Sequence, residues 1–226
     1  MFKLKRVHHP EVLSDKVYRL LRESIVKKSY IKGGDVLYES EVSRQLGVSR
    51  TPVREAFKML ALEGFLELMP NKSAIVPKIS FDDVEDILQI RGVLEGLAAS
   101  LAAKNLTPSK FKVLENLLRK MKTSAEAKDI DNYIMLNHTF HNKISQLCGN
   151  RWLSNMLINL QDHSHMFRVR GLAIPGRMEA SLEEHQKIIE AIKERDPFKA
   201  EITARNHIYN ILENIRGHMK EIKEGG

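Results

Sequence analysis

The chain has 226 residues, enough for one or two domains with a substantial core, and its 36 Lys+Arg against 29 Asp+Glu leave a charge of +7, which favours a polyanionic partner. One cysteine, Cys148, excludes an intrachain disulfide framework and a Cys-rich zinc site and fits a reducing cytoplasm. No run reaches the ~18 apolar residues of a membrane span, and MFKLKRVHHPEV lacks an apolar stretch followed by a cleavage site, so the expectation is a soluble cytoplasmic protein with no membrane partner.

Residues 1–80 hold 15 Lys+Arg against 9 Asp+Glu, so +6 of the +7 lies in the first third. Such asymmetry marks a nucleic-acid-binding segment. Val17, Leu20, Leu21 and Ile25 recur at helical spacing and predict a first helix from Leu13 to Lys28. Gly33 and Gly34 break the pattern; a short second helix from Ser40 to Leu46 then ends at Gly47. Ser49 is placed as N-cap and Pro52 in the first turn of a third helix, Arg50 to Glu63. A short helix, a Gly turn and a second helix make a helix-turn-helix pattern. Arg50, Thr51 and Arg54 fall in the first turn of the third helix, the part of a recognition helix that meets base edges and phosphates. Spacing alone also admits the two arginines as solvated surface charges, the less favoured reading. Phe65 to Met69 and Ala74 to Pro77 read as two short strands joined by a Pro-Asn-Lys-Ser turn, a wing with Lys72 at its tip.

These residues carry a specific likeness. The run LYESEVSRQLGVSRTPVREAFKMLALEGFLELMPNKSAIV, and VSRTPVREA within it, resembles the winged helix-turn-helix of GntR-family bacterial transcription regulators. The resemblance implies that Arg44, Arg50, Thr51 and Arg54 approach operator DNA, with the wing tip entering a neighbouring minor groove; with Ser49 at the helix start and Lys72 at the tip they make the expected DNA-binding set. The tip here is Asn71-Lys72-Ser73 in place of the more usual glycine-containing turn.

MPNKSAIVPKIS, with its turn formers and two prolines, marks the junction near Pro77 to Ser80 and divides the chain into 1–78 and 79–226. Six helices are predicted beyond it: Phe81 to Lys104, Pro108 to Lys128, Ile130 to Cys148, Arg151 to Arg170, Arg177 to Arg195 and Pro197 to Lys223. Ser80, Thr107-Pro108, Asp129 and Asp196-Pro197 announce helix starts. The fold class expected is mainly α: three helices plus a small β-wing, followed by an all-α six-helix antiparallel bundle.

Asn137 and His141 share a helix face, and His138 points elsewhere. His185 and His207 sit in apolar stripes of the last two long helices. A lone histidine of this kind is more often a satisfied core residue, but imidazole is also the commonest transition-metal ligand, and spacing leaves both readings open. His163 and His165 form an H-x-H that cannot face one site on a regular helix. Here too there is a resemblance. ILQIRGVLEGLAASLAA, Phe140-His141 with CGN following, EEHQKIIEAI and the late Asn206-His207 are similar to the FCD effector domain of the FadR subfamily, in its six-helix VanR-like branch. That likeness implies a divalent metal (Zn, Ni or Mn) at the positions of Asn137, His141, His185 and His207, with Asn137 standing where an Asp is usual. An amide oxygen in that place implies weaker binding and a shift away from hard cations. Arg91 matches a position that pairs with a carboxylate effector, the alternative being an interhelical salt bridge with Glu95 as candidate partner. His163 is placed near the pocket mouth.

The function expected is a homodimeric transcription regulator reading a pseudo-palindromic DNA operator under the control of a small carboxylate. The rival is a metal-dependent hydrolase with an accessory basic domain. It lacks an H-E-x-x-H or comparable pairing, since Glu184 is rotated about 100° from His185.

Overall fold

The computed structural model describes residues 12–26, 30–164, 172, 174 and 176–224, with side chains to Gly217. The chain divides into two compact units, Met1–Ile79 and Ser80–Gly226.

In the first unit α1 (Leu13–Val26), α2 (Glu39–Leu46) and α3 (Arg50–Leu62) surround a core of Val17, Leu21, Val53, Ala56, Phe57 and Leu60. Gly47 ends α2 at φ 65°, the left-handed conformation that costs glycine nothing, and its N–H closes the last turn onto Arg44 and Ser43. The wing strands are β2 (Glu67–Met69) and β3 (Ser73–Ile75). A strand that the pattern did not predict, β1 (Val36–Tyr38), pairs antiparallel with β3, giving the sheet order β1-β3-β2. Three residues after two glycines carry no readable alternation; only the long-range register Val36↔Ile75 to Tyr38↔Ser73 makes them a strand. The wing turn places Asn71 and Lys72 at φ 64° and 59°. Asn tolerates that region, whereas Lys enters it at a steric cost. Ser73 Oγ donates to Pro70 O at 3.0 Å, and Glu39 N donates to Lys72 O at 3.0 Å, so the turn is tied to the start of α2.

The second unit is α4 (Phe81–Lys104), α5 (Pro108–Glu126), α6 (Ile130–Leu147), α7 (Arg151–His163), α8 (Arg177–Lys193) and α9 (Pro197–Glu224). Its caps are those the sequence announces. Ser80 and Asp83 form a capping box, Asp129 accepts from Asn132 N at 3.1 Å, and Asp196 accepts from Lys199 N at 3.0 Å. One helix is shorter than its apolar pattern predicts: α7 stops at His163, where Ser164 closes it, and the expected extension to Arg170 lies largely outside the described residues, as does His165. α4 runs through the middle, packed on α6, α7, α8 and α9. Gly96 lets α9 approach closely, since a Cβ there would stand 3.1 Å from the backbone oxygen of Glu201 on α9. The core joins Ala98, Ala99, Ala102, Leu114, Tyr133, Phe140, Leu157, Ile188 and Ile192. Among the described residues no helix is long and apolar enough to cross a membrane.

Candidate functional site

At the N-terminus of α3, Ser49 occupies the N-cap position with an extended backbone but its side chain makes no capping bond. The first-turn N–H groups therefore stay open to an external acceptor such as a phosphate oxygen. Arg44, Ser49, Arg50, Thr51 and Lys72 are all exposed. Arg54 differs: its guanidinium grips the Glu39 carboxylate with two hydrogen bonds of 2.9 Å. The Arg54 hydrogen bond holds the Glu39 carboxyl below its ordinary range against the opposing effect of burial. The fork that sequence reasoning assigned to DNA is thus already engaged within the protein, and 43% of the Arg54 side chain remains exposed beyond it.

In the second unit the three predicted histidines come together from three helices. His141, His185 and His207 are 5%, 0% and 1% exposed, and one ring nitrogen from each lies within 4.8 Å of the others. His141 Nε2 and His185 Nε2 are 3.1 Å apart. Two carboxylates orient the rings. Glu95 on α4 accepts from His141 Nδ1 at 2.5 Å, and Glu184 on α8 accepts from His207 Nδ1 at 2.6 Å. Each carboxylate is in turn held by an arginine: Arg91 Nε donates to Glu95 at 3.1 Å, and Arg177 Nη2 donates to Glu184 at 2.8 Å.

These pairings decide the protonation states. Burial raises the Glu95 carboxyl, but the charges and hydrogen bonds of His141 and Arg91 outweigh it and hold the group well below the usual carboxylate range. Burial lowers His141 to about 4 in spite of Glu95. At neutral pH His141 is therefore a neutral imidazole with its proton on Nδ1, leaving the Nε2 lone pair turned to the cluster. Glu184, raised by burial, is brought down to about 2 by the hydrogen bonds of His207 and Arg177.

A divalent transition metal fits this donor set. His207 Nε2 is buried without a hydrogen-bond partner while its Nδ1 is fixed, and the carboxylate–histidine arrangement is the usual way a protein presents imidazole to a metal. Asn137, 3% exposed, lies one turn before His141 on the same face of α6. Glu95 and Glu184 escaped the sequence reading as members of the cluster. Their signal was present as Arg91-x-x-x-Glu95 and as the acid beside His185, but neither spacing shows that a second helix brings a histidine to it.

The remaining sites resolve as follows. The Arg91–Glu95 pair expected between helices lies within α4, four residues apart, and Arg91 Nη1 reaches Ser164 Oγ on the far side at 2.8 Å. His163, half-buried, is the residue before that serine. His138 does point away from the cluster and meets Asp162 at 3.3 Å. Both carboxylates at the cluster are already bound to arginine and histidine, so neither is poised as the general base that a hydrolase needs. A small cavity of ≈ 10 Å³ beside Glu95 and His141, walled by Ala98, Ile144, Leu157, Ile188 and Ala204, has room for about one water.

Comparison with known proteins gives these units a context. Residues 13–76 match the family described as bacterial regulatory proteins, gntR family, and residues 86–210 match the FCD domain. The chain is 31% identical over 204 residues to the HTH-type transcriptional repressor RspR of Escherichia coli (90% of this chain, 89% of that one). It is also 31% identical over 176 residues to a probable D-xylose utilization operon transcriptional repressor of Paenarthrobacter nicotinovorans (77% and 76%). Among solved structures, E. coli McbR/YncC superposes with a TM-score of 0.76 at 26% identity, covering 92% of this chain and 100% of that one.

Proposed function

Because the chain belongs to the GntR family of bacterial regulatory proteins, is a transcriptional regulator rather than an enzyme, and carries an FCD domain, we propose that it binds a pseudo-palindromic operator as a homodimer and is controlled by a small carboxylate held at the histidine cluster. The observation that carries the reading is the buried triad His141, His185 and His207 beside Arg91, a lone-pair-rich cluster inside the helical unit.

On the DNA side Arg50 is the reading residue, exposed in the first turn of α3, where a guanidinium forks onto a guanine edge. Thr51 and the open N–H groups after Ser49 take phosphate, Arg44 and Lys72 add charge, and Arg54 is set in place by Glu39. One recognition helix reads too few base pairs for specificity, so paired half-sites are needed. A surface suited to a second copy exists on the helical unit. Ile90, Val93 and Leu97 of α4 are 52%, 51% and 41% exposed, and Trp152 and Met156 of the adjoining α7 are 67% and 57% exposed. Side chains of that size in water favour burial against a copy of themselves.

On the effector side His141, His185 and His207 would hold the metal, with Asn137 as a fourth, neutral donor. The bound metal would supply a positive charge that anchors a carboxylate. Arg91, oriented by Glu95 and Ser164, offers a second cation for the same group, with His163 at the neighbouring end of α7. An effector acts on DNA binding only through a difference in its affinity for two dimer geometries. The test is operator binding by full-length protein, with and without chelator, across a panel of carboxylic acids. Acid-dependent change in affinity that is lost in His141→Ala supports the reading; no acid response under any metal condition overturns it.

A further inference from the structure

Buried side-chain atoms without hydrogen-bond partners are rare in folded proteins because each forfeits its solvation. Among the described residues they collect on α6 to α9 of the helical unit and none lies in the first unit. Three belong together. Arg177 Nη1 is buried without a partner, and the buried hydroxyls of Tyr133 and Ser181 have only each other; the three residues are 4%, 0% and 1% exposed. The Ser181 hydroxyl and the Arg177 charge both act on the Tyr133 phenol, which burial pushes up to about 12 and so keeps protonated as a donor.

Helical spacing arranges these groups as a track. On α6, Tyr133, Asn137 and His141 follow at intervals of four; on α8, Arg177, Ser181 and His185 do the same. The histidines stand at one end of both rows. Tyr133 and Arg177 begin at the other end, no more than about 12 Å away along the helix axes. Arg177 spends Nη2 on Glu184 and leaves Nη1 over, while the same Glu184 oxygen takes the His207 proton. A guanidinium nitrogen without an acceptor, beside a phenol and an aliphatic hydroxyl that pair only with each other, is the donor set of an anion site. Asn137 lies midway between the two ends. An aspartate there would repel an anion lying along the track, whereas the amide N–H₂ donates to it.

We propose that Tyr133, Asn137, Arg177 and Ser181 form a subsite for a second acidic group of the effector, so that the effector class is a small diacid rather than a monocarboxylate. This deepens, and rests on, the reading that the histidine cluster takes a carboxylate. The acid at the cluster fixes one end of the molecule, and Arg177 with the two hydroxyls fixes the other.

The experiment is calorimetric titration of full-length protein with the dicarboxylates malonate through adipate and the matched monocarboxylates propionate through hexanoate. At least one diacid is expected to bind about tenfold or more tighter than its matched monoacid. Tyr133→Phe and Ser181→Ala each remove one hydroxyl of that pair, so they cost the unliganded protein no more than one hydrogen bond while bringing the diacid down to the monoacid's affinity. Asn137→Asp is expected to tighten metal and weaken the diacid, opposite signs that a purely structural role for Asn137 does not produce. Inorganic phosphate that competes with the diacid but not with the monoacid identifies the second group as phosphate-like; phosphate that fails to compete identifies it as a carboxylate. Monoacids that bind as tightly as diacids, or a diacid preference that survives in both Tyr133→Phe and Ser181→Ala, overturn the subsite and leave the cluster reading standing. No binding of any acid to the wild type removes both.

Discussion

Arg54 and Arg91 are each paired with a glutamate, but Arg54 keeps 43% of its side chain exposed while Arg91 keeps 2%. In the first pair the Glu39 side chain is 7% exposed, but the guanidinium reaches water near Arg50 and Lys72, where charge acts at long range and is screened by salt. The second is buried with a further arginine, a further glutamate and three imidazoles, where the charges are paired with one another. One chain thereby separates two tasks. Exposed charge attracts a polyanion and tolerates rearrangement; buried, mutually neutralised charge can answer only to a ligand that enters and pairs with it.

Substitutions sharpen that contrast. The largest effect is expected from Glu95→Ala, which leaves Arg91 buried without its counter-ion and His141 Nδ1 without an acceptor; a loss of about 3–5 kcal/mol should appear in urea unfolding of the metal-free protein. A loss below 1 kcal/mol would mean that the interior is wet and that the contrast fails.

Acid should separate the two units next. His141 is lowered from 6.5 to about 4 in the folded protein, so the unfolded chain binds more protons across that interval and stability falls as pH drops from 6.5 towards 4. Glu95, Glu184 and Glu39 are lowered carboxylates whose contribution is lost only as pH falls below 4.5. Hydrogen exchange in chelator-treated protein should therefore show α4 and α6 losing protection between pH 6.5 and 4.5, on the order of 2 kcal/mol, with α3 unchanged. His141→Asn should flatten that interval; equal loss in both units would contradict the assignment.

On the exposed side, Arg50→Ala should weaken operator binding by about 1–3 kcal/mol while leaving the unfolding midpoint in place. Arg54→Ala should lower both operator affinity and the stability of the first unit, because Glu39 loses its two hydrogen bonds. Unchanged operator affinity in both variants would remove α3 as the reading helix. The smallest effect is expected from Lys72→Ala, a drop of about one in the slope of log affinity against log salt. An unchanged slope would place the wing tip away from phosphate.

Much was legible before any coordinates. The helix starts at Ser80, Thr107, Asp129 and Asp196 were readable because a cap is a contact between residues three apart. The three histidines were readable as candidates because each stood in an apolar stripe. β1 was not readable, since its three residues are a strand only by virtue of a partner about forty positions away. Nor was the occupation of Arg54 by Glu39, fifteen residues earlier, where two surface charges give no sign of having chosen each other.

Spacing and composition specify the periodicity of the helices, most of their caps, the concentration of positive charge in residues 1–80 and the identity of the chemistry-bearing side chains. These depend on neighbours within a turn or on composition, and local spacing specifies them. Helix packing decides which of those side chains meet: that Glu95 and Glu184 orient His141 and His207, that Arg177 joins the cluster through a single carboxylate, and that Tyr133 and Ser181 are buried against each other. Such encounters are set by the packing of one helix on another, which places residues tens of positions apart within hydrogen-bond reach and which no spacing along the chain encodes.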